Sequence, residues 1–299
     1  MTGKSYSSVT KNYVVRKIRT AFLLINKPVW DHFPTGRKFS RIYFEYGKFL
    51  HSIVLRRAVN RSQNPGTYLL RNRPQLELIQ NIVSSKDRDK AINIAVLGCS
   101  VGMEVYSIVW QLKSIKQKVN IIGLELSEKS LSIAKKGEYP LDKYDWHFER
   151  LSEEEYKDFF TIKNEVACIS PELKHDIKWV LGNACDPEIS KRIGLQDIVL
   201  ANQFMCHMYP NEAVCCLENI KNLVASDGYL FVSGLDLNVR EKVMDTPDFE
   251  IVRDKLREIH NGDSSMHAGW PWQYWGLEPI PENYEICIQR YAMVYKRLN

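Results

Sequence analysis

The sequence predicts an α/β protein with a doubly wound, mostly parallel sheet, antiparallel closing strands and a small helical domain in front. Three observations predict it. After residue 90, short apolar runs alternate with segments of helical period. A glycine-bearing turn, Gly98-Cys-Ser-Val-Gly102, joins the first of those runs to the first helix. Before residue 85, apolar residues recur only at helical spacing, as in Val14, Ile18, Phe22 and Ile25. The expected division is a basic helical domain over 1–85 and a sheet domain over 86–299, joined at the polar stretch Ser84–Lys90.

Within 1–85, Pro28, Pro34-Thr-Gly36 and Asn64-Pro-Gly66 interrupt the helices as loop signals. In the second region, Ile92–Leu97 reads as a buried strand and Met103–Lys116 as a helix. Val119–Leu124 is the next strand and Glu128–Lys136 the next helix. Ile177–Leu181, Asp197–Ala201 and Gly228–Ser233 complete the strands, with a helix over Asn211–Val224. Strands separated by helices of this length form a parallel sheet with crossovers on its faces. The alternating runs Tyr284–Tyr291 and Ala292–Arg297 are expected to pair as the closing antiparallel strands.

Composition bounds the class. Hydrophobic residues make up 44% and charged residues 26%, the balance of a globular protein. No apolar run reaches the roughly 18 residues of a membrane helix. The polar start, MTGKSYSSVTKNY, has no apolar stretch of the secretory kind, so a cytoplasmic protein is expected. Seven cysteines with no C-x-x-C pair support neither a disulfide framework nor a metal site, and no metal is expected. Residues 1–85 hold 15 Lys and Arg against 3 Asp and Glu, net +12; the remainder holds 26 against 33, net −7, together the +5 of the whole. That asymmetry suits an anionic partner for the N-terminal part, or equally a basic face docked on the acidic remainder.

The chemistry-bearing residues sit at strand ends. Gly98 and Gly102 allow a tight turn and a close approach to a ligand, and the helix behind them offers N–H groups to an anion. Glu125 ends the second strand about 25 residues after the turn, where doubly wound folds place the carboxylate that binds ribose hydroxyls. Asn183, with Ala184 beside it, follows the Ile177–Leu181 strand and can donate and accept along an adenine edge. Together these ends suit an adenosine ligand.

In order and spacing, Thr67-Tyr-Leu-Leu-Arg71, Gly102-Met-Glu104-Val-Tyr106-Ser107, Gly-Leu-Glu125-Leu-Ser, Lys136-Gly137-Glu-Tyr139, Leu151-Ser-Glu-Glu, Asn183, Asp197-Ile-Val-Leu-Ala-Asn202-Gln203 and Asp227-Gly228-Tyr-Leu-Phe resemble the CheR-type methyltransferases, enzymes that methylate chemotaxis receptors. The resemblance covers roughly 60–235. It implies a Rossmann-like sheet, S-adenosyl-L-methionine as cofactor, and a helical N-terminal domain over the cofactor cleft. It assigns cofactor contacts to Thr67, Arg71, Glu104, Glu125 and Asn183, with Arg71 pairing the methionyl carboxylate. Gly98, Gly102, Ala184 and Gln203 are expected to line the same site.

The sequence departs from that family after the fourth strand. Where the family reads C-R-N-V, this chain has Ala201-Asn202-Gln203-Phe204, and His207 stands where a tyrosine is usual. Those positions border the acceptor, so the acceptor is expected to be other than the chemoreceptor glutamate: an oxygen, or less readily a nitrogen, of a small molecule, glycan or protein. A hydroxyl or ammonium acceptor must lose a proton, and His207 is the candidate general base. Asn202, Tyr209, Trp270 and Trp272 are the candidate substrate contacts, the tryptophans lying in a Gly- and Pro-bearing loop where aromatic faces can stack on a ligand or plug a sheet end. Two rival readings stay open: a nicotinamide-dependent oxidoreductase, which shares the turn and the ribose acid but requires a compact G-x-G-x-x-G, and a non-catalytic binding module for an anionic partner.

Overall fold

The structure is a computed structural model that describes residues 13–32, 42, 45–47, 49–50, 53, 67–87, 89–141, 151–262, 280 and 288–299, with the side chains of Arg16 and His207 outside the description. The chain divides into two compact units, 1–64 with 264–287, and 65–263 with 288–299. The division falls before the helix at 73–85 rather than at the polar stretch 84–90, because that helix buries Leu76, Leu78, Ile79, Ile82 and Val83 within the sheet-bearing unit.

In the first unit, α1 (Tyr13–Asp31) carries Pro28 inside it. Its buried side is Leu23 and Trp30, while Val14, Ile18 and Ile25 are exposed. The apolar period therefore marked the helix but not the face it buries. Trp30 lies 5.9 Å from the Tyr46 ring and Phe22 meets Phe49 edge-on at 6.0 Å, so aromatic pairs select the packed side.

The second unit runs α2 (Arg73–Ser85), β1 (Ile92–Leu97), α3 (Met103–Leu112), β2 (Val119–Glu125), α4 (Glu128–Lys136), β3 (Glu138–Pro140), α5 (Glu153–Phe159), β4 (Phe160–Lys163), β5 (Val166–Ile169), β6 (Ile177–Leu181), α6 (Ile189–Ile193) and β7 (Gln196–Asn202). It continues through α7 (Pro210–Lys221), β8 (Val224–Ser233), α8 (Leu237–Met244), β9 (Phe249–Ile251), α9 (Leu256–Asn261), α10 (Ile288–Tyr291) and β10 (Val294–Arg297). The main sheet has the order β6-β2-β1-β7-β8-β10-β9. Its first five strands are parallel, and β10 is antiparallel to both β8 and β9. The strand order reverses between β1 and β7, the point where doubly wound sheets open a crevice at their carboxyl ends. Ile94, Ala95, Val96 and Leu97 in β1 and Ile198 to Ala201 in β7 are buried, as central parallel strands covered on both faces require.

The closing pair differs from expectation. Of the run Tyr284–Tyr291, Ile288–Tyr291 is helical and 284–287 lies outside the described residues; β9 supplies the partner of β10, with Tyr295 opposite Ile251. A second, three-stranded sheet, β3-β5-β4, was not anticipated. Its β4–β5 hairpin turns at Asn164 and Glu165, both at positive φ, without the Asn-Gly pair that signals such a turn in sequence. The helix α3 ends at Leu112 rather than Lys116. Among the described residues, no helix is long and apolar enough to cross a membrane.

Candidate functional site

Parallel pairing brings the predicted residues to one edge. Glu125 stands opposite Leu181 at the end of β2 and β6, Leu97 opposite Leu124, and Asn202 opposite Ser233 at the end of β7 and β8. Gly98 and Asn183 follow their strands on the same edge.

The turn after β1 is built from left-handed residues: φ is +65° at Gly98, +52° at Ser100 and +92° at Gly102. Glycine is needed twice for space as well as for conformation. A Cβ at Gly98 would lie 2.9 Å from the Phe204 ring, and one at Gly102 would lie 2.9 Å from Trp179 Cη2. The turn consumes its own amides: Cys99 N–H donates to the Leu124 carbonyl, Gly102 N–H to the Cys99 carbonyl, and Ser100 N–H to Glu125 Oε2 at 2.8 Å. Those three amides are therefore closed to an anion; the expectation concerns the N–H groups at the start of α3, which these bonds do not use. The buried Tyr139 braces the turn by donating to the Val101 carbonyl, and Tyr106 ties α3 to α4 by donating to that of Ala134.

Glu125 is held at both oxygens, since Ser127 N–H donates to Oε1 at 2.8 Å while Ser100 takes Oε2. Backbone donors fix its direction, and a carboxylate has acceptor sites beyond those two. Asn183 is exposed, its Oδ1 accepting from Cys185 N–H at 3.0 Å, and Ala184 behind it is buried. Asn219 on α7 donates to the Cys185 carbonyl and ties this loop down.

Thr67–Arg71 precedes α2. Leu70, at φ +53°, donates its N–H to Ser107 Oγ on α3, which itself donates to the Met103 carbonyl. That pin carries Arg71 to the neighbourhood of Glu104, and the guanidinium lies 4.3 Å from the Tyr68 ring centroid. Thr67 is part-buried. Burial pushes the Glu104 carboxyl above its ordinary value, an effect offset in part by the Asn202 amide and the Arg71 charge. The Cys99 thiol is pushed up by burial first, then by the nearby Glu125 and Glu104.

At the β7 end, Asn202 Nδ2 donates to Glu104 Oε1 at 2.6 Å, and Ser233 Oγ donates to Asn202 Oδ1 at 2.8 Å. Gln203, at φ +62°, donates from its backbone to the Ser233 carbonyl and from Nε2 to Ser233 Oγ at 3.3 Å. Tyr209 caps α7, its N–H donating to Glu212. The backbone of His207 lies in the short turn Met205–His207 between β7 and α7. The His207 side chain, Trp270 and Trp272 lie outside the described residues. Among the described residues, no three His, Cys, Asp or Glu side chains are grouped to hold a metal ion. Ser233, the bond from Leu70 to Ser107 and the packing of Trp179 against the turn escaped sequence reading, because each acts on a residue that only strand pairing or helix packing brings near.

Residues 66–246 match the family model of the CheR methyltransferase, SAM binding domain. The chain belongs to this family. Two relatives, chemotaxis protein methyltransferases of Campylobacter jejuni, are 27% identical over 173 residues, 57% of this chain and 63% of each relative. The aligned part thus spans less than two thirds of those relatives' length. Among solved structures, the plantazolicin methyltransferase BamL, in complex with a triazolic desmethylPZN analog and SAH, is 15% identical, with 76% of this chain and 63% of that one covered at a TM-score of 0.35. The magnesium protoporphyrin IX methyltransferase ChlM from Synechocystis, with bound SAM, is 14% identical, with 61% and 71% covered at a TM-score of 0.36. The CheR match begins just before the Thr67–Arg71 motif and ends past β8, so it takes in all the strand ends described above.

Proposed function

We propose that this chain is an S-adenosylmethionine-dependent methyltransferase whose acceptor is an oxygen, less readily a nitrogen, of a molecule other than the chemoreceptor glutamate. The observation that carries the reading is the convergence of the Gly98–Gly102 turn, Glu125, Glu104 and Asn202 on the carboxyl edge at the switch point of a CheR-family sheet. The residues present fit the cofactor. Glu125, fixed by two backbone donors, would take the ribose hydroxyls. Arg71 would pair with the methionyl carboxylate and Glu104 with the ammonium beside it. Asn183 would meet the adenine edge over buried Ala184. When bound, S-adenosylmethionine supplies an electrophilic methyl group on a sulfonium.

The change of acceptor rests on Asn202. Its amide is committed on both sides, as donor to Glu104 and acceptor from Ser233. Asparagine is neutral, so it lacks the charge that the arginine typical of the family would present to an acceptor. An oxygen or nitrogen acceptor that carries a proton requires a base, and His207, in the turn between β7 and α7, is the group proposed for it. Tyr209, Trp270 and Trp272 are proposed to hold the acceptor, and the net +12 of residues 1–85 supports an anionic partner for that part of the chain.

Calorimetry tests the cofactor class. Titration with S-adenosylhomocysteine should give saturable binding and titration with NAD none; the reverse result refutes the proposal in favour of a nicotinamide enzyme. Methyl transfer to no acceptor, by a chain that binds S-adenosylhomocysteine, would favour the non-catalytic module.

A further inference from the structure

Three side chains at the β7 and β8 ends and Glu104 at the start of α3 form a hydrogen-bonded line with one direction. Gln203 Nε2 donates to Ser233 Oγ, Ser233 Oγ donates to Asn202 Oδ1, and Asn202 Nδ2 donates to Glu104 Oε1. The direction has a chemical cause. An ionised carboxylate only accepts, so the Asn202 face toward Glu104 must be the NH2. Its oxygen is then left facing Ser233, which must donate. Asn202 and Ser233 are both buried, 8% and 6% exposed, so neither can replace a lost partner with bulk water.

We propose that Ser233 is a positioning residue for cofactor binding: its hydroxyl locks the Asn202 amide with Nδ2 toward Glu104, keeping that carboxylate ionised and aimed to take the cofactor's ammonium. Glu104 lies in a site whose burial favours the neutral acid. Two groups work against that, the Asn202 amide and the Arg71 guanidinium. Among the described residues, the Cys99 thiol also lies in its field; it stays protonated beside Glu104 and Glu125 and adds no charge. Without the Ser233 hydroxyl, the Asn202 amide is free to turn its oxygen toward Glu104. An oxygen facing the carboxyl is satisfied only when the carboxyl holds a proton, so Glu104 takes that proton at a higher pH. A neutral Glu104 is a poorer partner for an ammonium. The effect has a signature that loss of packing lacks. Affinity for the cofactor should fall on the acid side and recover once the pH is high enough to ionise Glu104 in spite of the turned amide.

The inference rests on the adenosylmethionine reading, and the test separates the two. Calorimetric titration of S-adenosylhomocysteine into wild type, Ser233→Ala and Ser233→Thr is carried out from pH 5 to pH 8. Expected are saturable binding by wild type and an acid limb moved upward in Ser233→Ala. The Ala variant should bind about tenfold more weakly at pH 6, converging on wild type by pH 8. Ser233→Thr, which keeps the hydroxyl, should follow the wild-type profile. A Ser233→Ala profile parallel to wild type at every pH overturns the inference while leaving the cofactor reading intact. Failure of the wild type to bind at any pH overturns the cofactor reading itself. If circular dichroism shows Ser233→Ala unfolded, Asn202→Asp, nearly the same shape, sets a second carboxylate against Glu104 and must move the same limb upward; an unmoved limb overturns the inference.

Discussion

Replacing Gly102 with alanine offends two separate constraints, and two other glycines allow them to be measured apart. Gly102 lies at φ +92°, and its Cβ would stand 2.9 Å from Trp179 Cη2, 3.0 Å from Ala134 Cβ and 3.2 Å from Tyr106 Cε2. A backbone in this sparsely populated region costs a residue with a side chain about 1–3 kcal/mol. Crowding a packed site adds about 1–3 kcal/mol. Gly194, at φ +75° and ψ 178°, has nothing within 4 Å of its would-be Cβ, so Gly194→Ala carries a backbone cost alone, of the glycine-only extended region rather than the left-handed region of Gly102. Gly123 has no left-handed φ, yet its Cβ would lie 2.7 Å from Trp179 Cε3 and Cζ3, so Gly123→Ala carries crowding alone. The Gly102 change is expected to cost near the sum of the two, about 4 kcal/mol. At about 2–4 °C per kcal/mol, its melting temperature falls by about 8–16 °C. Urea unfolding and scanning calorimetry of the three variants give the comparison. In a Trp179→Ala background, the part of the crowding due to Trp179 should vanish, while the backbone part and the contacts with Ala134 and Tyr106 persist. A Gly102→Ala loss that is no smaller in the Trp179→Ala background refutes the reasoning, for it would show that the Trp179 ring yields without cost.

Three further outcomes are expected. Glu125→Gln removes one acceptor oxygen from a carboxylate gripped by two backbone amides, and S-adenosylhomocysteine affinity should fall about 10- to 100-fold by calorimetry, the scale of hydrogen bonds to charged groups. His207→Phe should abolish methyl transfer while S-adenosylhomocysteine affinity stays within about twofold, and undiminished turnover would remove His207 from the chemistry. Arg73 grips Glu155 with two hydrogen bonds, of 2.5 and 2.8 Å, across α2 and α5, and holds that carboxyl below its ordinary value. A depressed folded value means stability that is present at neutral pH and lost as the pH falls through it. Glu155→Gln should therefore cost up to about 1 kcal/mol in urea unfolding at pH 7, since Arg73 is half exposed, and nothing measurable at pH 2.

The sheet domain was legible because its signals are local. Buried parallel strands are continuous apolar runs, and the glycine turn, the acid at Glu125 and the amide at Asn183 each sit a fixed few residues from a strand end. The Leu151-Ser-Glu-Glu run enters the sequence reading only through the family resemblance, although its helix start is local too, with Ser152 and Glu155 closing a capping box there. Where the signal is not local, reading failed. The β4–β5 hairpin uses Asn164-Glu165 instead of a glycine pair, and the partner of β10 lies at 249–251, a segment with no strand alternation long enough to notice. In α1 the apolar period located the helix, but aromatic partners at Tyr46 and Phe49 chose which side was covered.

By itself, then, the sequence determined the alternation of strand and helix, the turn at Gly98–Gly102 and the candidate cofactor residues, because each depends on neighbours within a few positions along the chain. Tertiary structure alone decided what those residues touch. It directs the Ser100 amide to Glu125, the Cys99 amide to the Leu124 carbonyl of β2 and the Gly102 amide back to Cys99 instead of leaving them for a ligand. It also threads Arg71, Glu104, Asn202 and Ser233 onto one edge from four separate stretches of chain. Hydrogen-bond direction along that edge is set by the charge at Glu104, and a charge acts through space on groups the sequence keeps as many as 129 positions apart, from Glu104 to Ser233.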